Sequence, residues 1–573
     1  MKLVVVILTL LYFAKAQEDQ FPDDFQFGVA TASYQIEGAW NVGGKGENIW
    51  DHLTHNYPDK IKDKSNGDDA CLSYYKNEED VRLLVDLEVD FYRFSISWSR
   101  ILPTGHVNKI NQEGIDYYND LIDRLVAAEI KPFNDLIDRL VAAEIKPFVT
   151  MFHWDLPQPL QEIGGWPNPL LADIFEDYAN VLYKEFGDRV KDWITFNEPT
   201  DIFEDYANVL YKEFGDRVKD WITFNEPTQI CEQGYSASDK APAYSQAGIG
   251  GYLCAHTVLI AHAKAYRLYY ADYHEEQQGR VGITIDTGMS IPENEDSEED
   301  QRAANQALEM NYGWYANPIF SAEGDYPEIL KERVLNMSTR EGFPKSRLPE
   351  FTPQEIELIR GSSDFLGLNH YSSGICRFIP DGFIQGPSHY ADGGVLRIEV
   401  VVNPSPDWEG SASSWLNVYP EGLKLLLIWM KEHYQDPEII ITENGYSDDG
   451  RLDDCRRANY YNAYIEQVLL AIKEHDVKVT GYTAWSFMDN FEWRQGYTER
   501  FGIHYVDFDD PDRPRTPKLS SDIYRNIIRT RKVDWEYQAP EFRVCDWDDW
   551  EVTTEEVATE VTTEEPEEET DEV

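Results

Sequence analysis

Residues 437–444 read Pro437-Glu438-Ile439-Ile440-Ile441-Thr442-Glu443-Asn444, and residues 222–227 read Ile222-Thr223-Phe224-Asn225-Glu226-Pro227. Each is a short β-branched or aromatic run that ends on a carboxylate and is broken by a turn former, Gly445 or Pro227. Working outward, six more runs of this kind punctuate the chain: Phe25–Ala32, Asp90–Trp98, Lys146–Trp154, Arg280–Asp286, Asp364–Tyr371 and Val479–Phe487. With Asp220–Glu226 and Pro437–Asn444 they make eight. Intervening segments carry apolar residues at helical spacing, as in Asn168–Phe186, where Asn168 stands as N-cap and Pro169 takes the first helical position. Eight strands alternating with helices predict an α/β fold, a single (β/α)8 TIM barrel of parallel strands. Chemistry in such barrels gathers at the C-terminal strand ends. Those ends hold His153, Asn225-Glu226, Asn369, Tyr371, Glu443 and Trp485, polar or amphipathic groups that a buried strand has no packing reason to choose.

Composition narrows the partners. The 573 residues include 105 Asp and Glu against 51 Lys and Arg, a formal net charge of −54. Nucleic acids and anionic membrane surfaces are polyanions, so both are excluded as partners. Apolar residues at 42% and aromatics at 13% supply ample material for a core. At the N-terminus, Lys2, the apolar run Leu3–Phe13 and the small-x-small site Ala14-Lys15-Ala16 read as a signal peptide over residues 1–16. The run falls short of the about 20 residues a membrane anchor needs. The expected product is a secreted protein with no membrane anchor, its barrel domain spanning residues 17–548. An acidic, disordered tail is expected over 549–573, since the last 23 residues carry 11 acids and no aromatic.

Six cysteines (Cys71, Cys231, Cys254, Cys376, Cys455 and Cys545) allow one to three disulfides after export, with pairing left open by their spacing. None lies in a CxxC or Cys/His cluster, so no metal site is expected. Asn336-Met337-Ser338 is a glycosylation acceptor.

Two direct repeats interrupt the barrel pattern. Asn119–Phe133 recurs unchanged as Asn134–Phe148, and Asp173–Thr200 recurs unchanged as Asp201–Thr228, so the repeats occupy 119–148 and 173–228. Each is a single tandem pair unrelated to the other, unlike a solenoid. Signal, tail and surplus copies removed, roughly 490 residues remain, the size of one large barrel with loop insertions. The sequence pattern favours keeping the helix of the first copy and the strand of the second. The surplus would then leave at the barrel's bottom face, where loop extension costs little entropy. That choice makes Glu226, rather than its duplicate Glu198, the functional copy.

Glu226 and Glu443 end strands four and seven of the expected barrel, and face each other across its mouth. Paired carboxylates are what glycoside hydrolysis requires, one to protonate the leaving oxygen and one to face the anomeric carbon. Here TFNEP and ITENG, with FGVATASYQIEGAW, YRFSISWSRILP, FVTMFHWDLPQ and WSFMDNFEWRQGYTERFG, resemble glycoside hydrolase family 1. The resemblance runs from about Phe21 to about Val533.

The resemblance implies a retaining β-glycosidase acting on small-molecule β-glucosides, with no cofactor and no metal. It makes Glu443 the nucleophile and Glu226 (or Glu198) the general acid/base. Arg93 and Tyr371 would support the nucleophile, and Gln35, His153, Asn225, Glu492 and Trp493 would hold the sugar hydroxyls. Trp485 would form the platform beneath the ring, and Asn369 ends a strand on the same rim. Glu492 would disfavour a 6-phosphorylated sugar. Plant thioglucosidases of the family carry glutamine at the acid/base, whereas both copies here keep glutamate, as O-glycosides need. An alternative is a catalytically impaired glycoside-binding barrel, if the repeats displace the strands that carry the pair.

Overall fold

The computed structural model describes residues 20–126, 146–150, 152–168, 220–272, 274–277, 279–379, 386–398, 409–540 and 542, with positions 170, 171, 174, 178, 181 and 192–194 between them. Its centre is a parallel sheet of nine strands: β1 (Gln26–Ala30), β2 (Phe91–Ser95), β3 (Lys146–Thr150), β4 (Asp192–Ile194), β5 (Asp220–Asn225), β6 (Arg280–Asp286), β7 (Leu366–Asn369), β8 (Ile439–Asn444) and β9 (Val479–Trp485). Their order is β4-β3-β2-β1-β9-β8-β7-β6-β5. The first and last expected strands pair with each other, Gln26 opposite Gly481 through Ala30 opposite Trp485, which wraps the sheet into a barrel wall. All eight expected runs form strands. Six of them are trimmed at the C-terminal end, and Tyr371 lies two residues past the end of β7.

The ninth strand corrects the expectation that the surplus copy leaves the barrel. Asp192-Trp193-Ile194 and Asp220-Trp221-Ile222 are the same tripeptide from the two copies. The first copy pairs with β3, with Phe148 opposite Asp192. The second pairs with β6, with Asp220 opposite Arg280. Two identical strand formers thus divide the two hydrogen-bonding edges that one strand would satisfy. Glu198, the expected signal segment 1–16 and the expected tail 549–573 lie outside the described residues.

Side chains fill the barrel in layers. Phe91, Phe365 and Ile440 form a small apolar cluster of their own. Neighbouring strands make room for it with glycine: a Cβ on Gly28 would lie 2.4 Å from the Phe91 ring, and one on Gly282 would lie 2.6 Å from Phe365. Polar residues gather toward the C-terminal ends, where Thr284 Oγ1 donates to Thr442 Oγ1 at 3.2 Å and Thr442 Oγ1 to Asn369 Oδ1 at 2.7 Å. Outside the sheet, Leu171, Tyr178 and Val181 are buried helical positions, and the Asn168 side chain accepts from Leu170 N–H at 3.1 Å, as an N-cap should. No helix among the described residues is long and apolar enough to cross a membrane.

Candidate active site

Register breaks lie where the rim residues emerge. The β8–β7 pairing shifts between Ile441 and Glu443, and the β5–β6 pairing between Ile222 and Asn225. Such bulges re-aim side chains at strand ends. Here they turn Glu443 and Asn225 into the mouth.

One buried guanidinium organises that mouth. Arg93, 1% exposed, donates from Nη1 to Glu443 Oε1 at 2.6 Å and to the Thr442 carbonyl at 2.9 Å. Its Nη2 donates to Asn225 Oδ1 at 2.7 Å, and its Nε to Thr150 Oγ1 at 3.3 Å. Tyr371 Oη donates to the other Glu443 oxygen at 2.7 Å. Glu443 therefore carries one donor on each oxygen, which fixes the carboxyl group's orientation in the mouth.

Glu226 is held differently. Its Oε1 accepts one hydrogen bond, from Asn369 Nδ2 at 2.8 Å, and the same amide donates to Asn225 Oδ1 at 3.0 Å. Burial, then the Glu443 charge, then Asp286 push its carboxyl well above the usual range, while Lys240 opposes them. Its backbone sits at φ +48°, a left-handed conformation that costs a non-glycine residue about 1 kcal/mol or more. The two carboxylates thus share one hydrogen-bond network, and the second is poised to hold a proton.

Around them the other expected residues converge. Burial drives the His153 imidazole well below its ordinary range, so it is neutral. Its Nδ1 is buried without a partner among the described residues, and its ring centroid lies 5.8 Å from those of Trp485 and Trp493. Gln35 Nε2 donates to Asn490 Oδ1 and to the Phe491 carbonyl, each at 2.9 Å, while its Oε1 is buried without a partner among the described residues. Polar atoms aimed between indole rings suit a pyranose, whose hydroxyls ring an apolar C–H face. Burial, then Glu499, push the Glu492 carboxyl up to about 8. Asn369 braces Glu226 against Asn225 rather than standing free on the rim.

Residues 17–135, 132–202 and 200–533 match the model for glycosyl hydrolase family 1, in three segments whose joints fall inside the two repeats. The chain belongs to that family. It is 44% identical to myrosinase 1 of Brevicoryne brassicae over 90% of this chain and 99% of the relative. It is 38% identical to the cytosolic beta-glucosidase of Cavia porcellus over 90% and 99%. Among solved structures, an aphid myrosinase superposes with a TM-score of 0.78 at 43% identity, covering 90% of this chain and all of that one. As a family 1 member the chain is a glycosidase that hydrolyses O-glycosyl compounds, a retaining β-glycosidase on the (β/α)8 barrel.

Sequence reasoning missed four residues at this family 1 site. Lys240 places its Nζ 4.0 Å from the centroid of the Trp154 ring and donates to Gln229 Oε1 at 2.9 Å. Gln229 Nε2 in turn donates to Asp286 Oδ2 at 2.7 Å. Trp154 Nε1 donates to the Asn225 carbonyl at 3.3 Å. Asp286 was findable, because it ends the β6 run as Glu226 and Glu443 end theirs. Lys240 had no such signal; it comes from a loop 14 residues beyond Glu226.

Proposed function

We propose that this chain is a secreted retaining β-glycosidase that hydrolyses β-glucosides, with Glu443 as nucleophile and Glu226 as general acid/base. The observation that carries the assignment is the unequal treatment of the two carboxyls. Glu443, with a donor on each oxygen, is fitted to attack the anomeric carbon as an anion. Glu226, buried and beside other carboxylates, is fitted to hold a proton until the leaving oxygen takes it. Once the aglycone departs, Glu226 is ionised and activates water against the glycosyl–enzyme, which restores both groups. Arg93 and Tyr371 keep the nucleophile oriented. Gln35, His153, Asn225 and Glu492 would bind the hydroxyls, with Trp485 beneath the ring.

Export is supported by the N-terminal apolar run and by the disulfide between Cys231 and Cys254. Asn336 is exposed on the helix Glu328–Arg340, in keeping with a glycan there. The myrosinase relative makes thioglucosides a second substrate class. A thiolate departs without a proton, so the retained Glu226 is unnecessary for them rather than harmful. The assignment is tested by trapping with a 2-deoxy-2-fluoroglucoside bearing a dinitrophenolate leaving group, followed by peptide mass spectrometry. The label is expected on Glu443; a label elsewhere overturns it. Rates on aryl, alkyl, cyanogenic and thio-glucosides then order the substrate classes.

A further inference from the structure

Glu226 is gripped on both sides by one helix. Three residues before it, Thr223 Oγ1 and His262 Nδ1 lie 2.5 Å apart. Five residues after it, Cys231 is disulfide-bonded to Cys254, with their Cα atoms 5.3 Å apart. His262 and Cys254 both belong to the helix Gly250–Asp272. Burial holds the His262 ring neutral, with a pKa of about 3, so the upstream contact is a neutral hydrogen bond.

The downstream grip is close. Gln229 N–H donates to the Glu226 carbonyl at 3.0 Å, and the chain then enters a π-helical stretch, Gln229–Ser236, closed by Ala237 N–H to the Glu232 carbonyl at 2.8 Å. Such stretches are rare and concentrate at functional sites. The helix meets this stretch at a glycine, since a Cβ on Gly251 would lie 1.8 Å from Glu232 Oε1. Gly251 N–H donates to Ser236 Oγ at 2.9 Å, and Ser236 Oγ to Glu232 Oε1 at 3.3 Å. A left-handed glutamate persists only where its surroundings over-determine it.

We propose that the Cys231–Cys254 disulfide and the seam it closes are a positioning device for the acid/base, holding Glu226 where its proton reaches the leaving-group oxygen. The inference rests on Glu226 being the proton donor. Cys231 and Cys254 touch no reacting atom; they act through the backbone of Glu226.

The test compares kcat/KM, which reports formation of the glycosyl–enzyme, for a dinitrophenyl and an alkyl β-glucoside. Dinitrophenolate departs without a proton, whereas an alkoxide needs one. In a Cys231→Ala/Cys254→Ala variant, normalised to active sites titrated with the fluoroglucoside, alkyl glucoside hydrolysis is expected to fall about 100-fold. Dinitrophenyl glucoside hydrolysis should change less than about 3-fold. An equal loss on both substrates, or no loss on the alkyl glucoside, overturns the proposal. Glu226→Ala in the same assay separates the two claims. If it fails to show the split, the acid/base assignment is at fault; if it shows the split and the cysteine variant does not, the clamp is wrong. Should the cysteine variant not fold, Ser236→Ala keeps the disulfide and loosens the same seam. It should then lose about 3- to 10-fold on the alkyl glucoside alone, and an equal loss on both refutes the clamp.

Discussion

Glu443 and Glu226 come from matching sequence contexts and end in opposite environments. Glu443 ends a strand of three isoleucines and meets a guanidinium and a phenol, one on each oxygen. Glu226 follows β5 in a left-handed conformation, accepts one amide hydrogen bond, and feels the charges of Asp286 and Lys240. Two carboxyls with one pattern in sequence thus acquire two roles from their neighbours. The lesson is that role follows from what surrounds a carboxylate, and those surroundings come from strands distant in sequence. Arg93 reaches Glu443 across 350 positions.

That contrast can be broken at four points, in decreasing size of effect. Glu443→Gln removes the nucleophile, and kcat/KM on an aryl glucoside should fall on the order of 10⁵-fold for every leaving group. Glu226→Gln should cost about 10³-fold on an alkyl glucoside and little on the dinitrophenyl one, read from a leaving-group series. Tyr371→Phe removes a donor to a charged acceptor and should cost about 10-fold on both substrates alike, since it serves the nucleophile rather than the leaving group. Lys240→Met should barely change the optimum rate. Because a nearby cation favours the ionised form of Glu226, its loss raises the carboxyl further. The alkaline limb of the kcat/KM profile should then move to higher pH by under about one unit. A shift to lower pH would remove Lys240 from the electrostatics of the site.

The strands and most of the rim were legible because both follow local rules. Period, turn formers and a polar residue closing a buried run located Glu226, Glu443, Asn369 and Trp485. Arg93, Gln35 and Glu492 were reached through the family motifs. What stayed hidden was long-range or degenerate. The pairing of Cys231 with Cys254 depends on how the helix Gly250–Asp272 docks. Lys240 depends on a loop conformation with no periodicity. The ninth strand depends on two identical tripeptides competing for one place, a contest that sequence alone leaves open.

The division of labour between the carboxylates is tested most directly by azide rescue, with the configuration of the glycosyl azide read by proton NMR. In Glu226→Ala, azide should attack the glycosyl–enzyme formed on Glu443 and release a β-glucosyl azide, with net retention. In Glu443→Ala, azide should fill the nucleophile's place and give the α-glucosyl azide from an activated β-glucoside. The opposite pairing of variant and anomer, or the same anomer from both, would contradict the account.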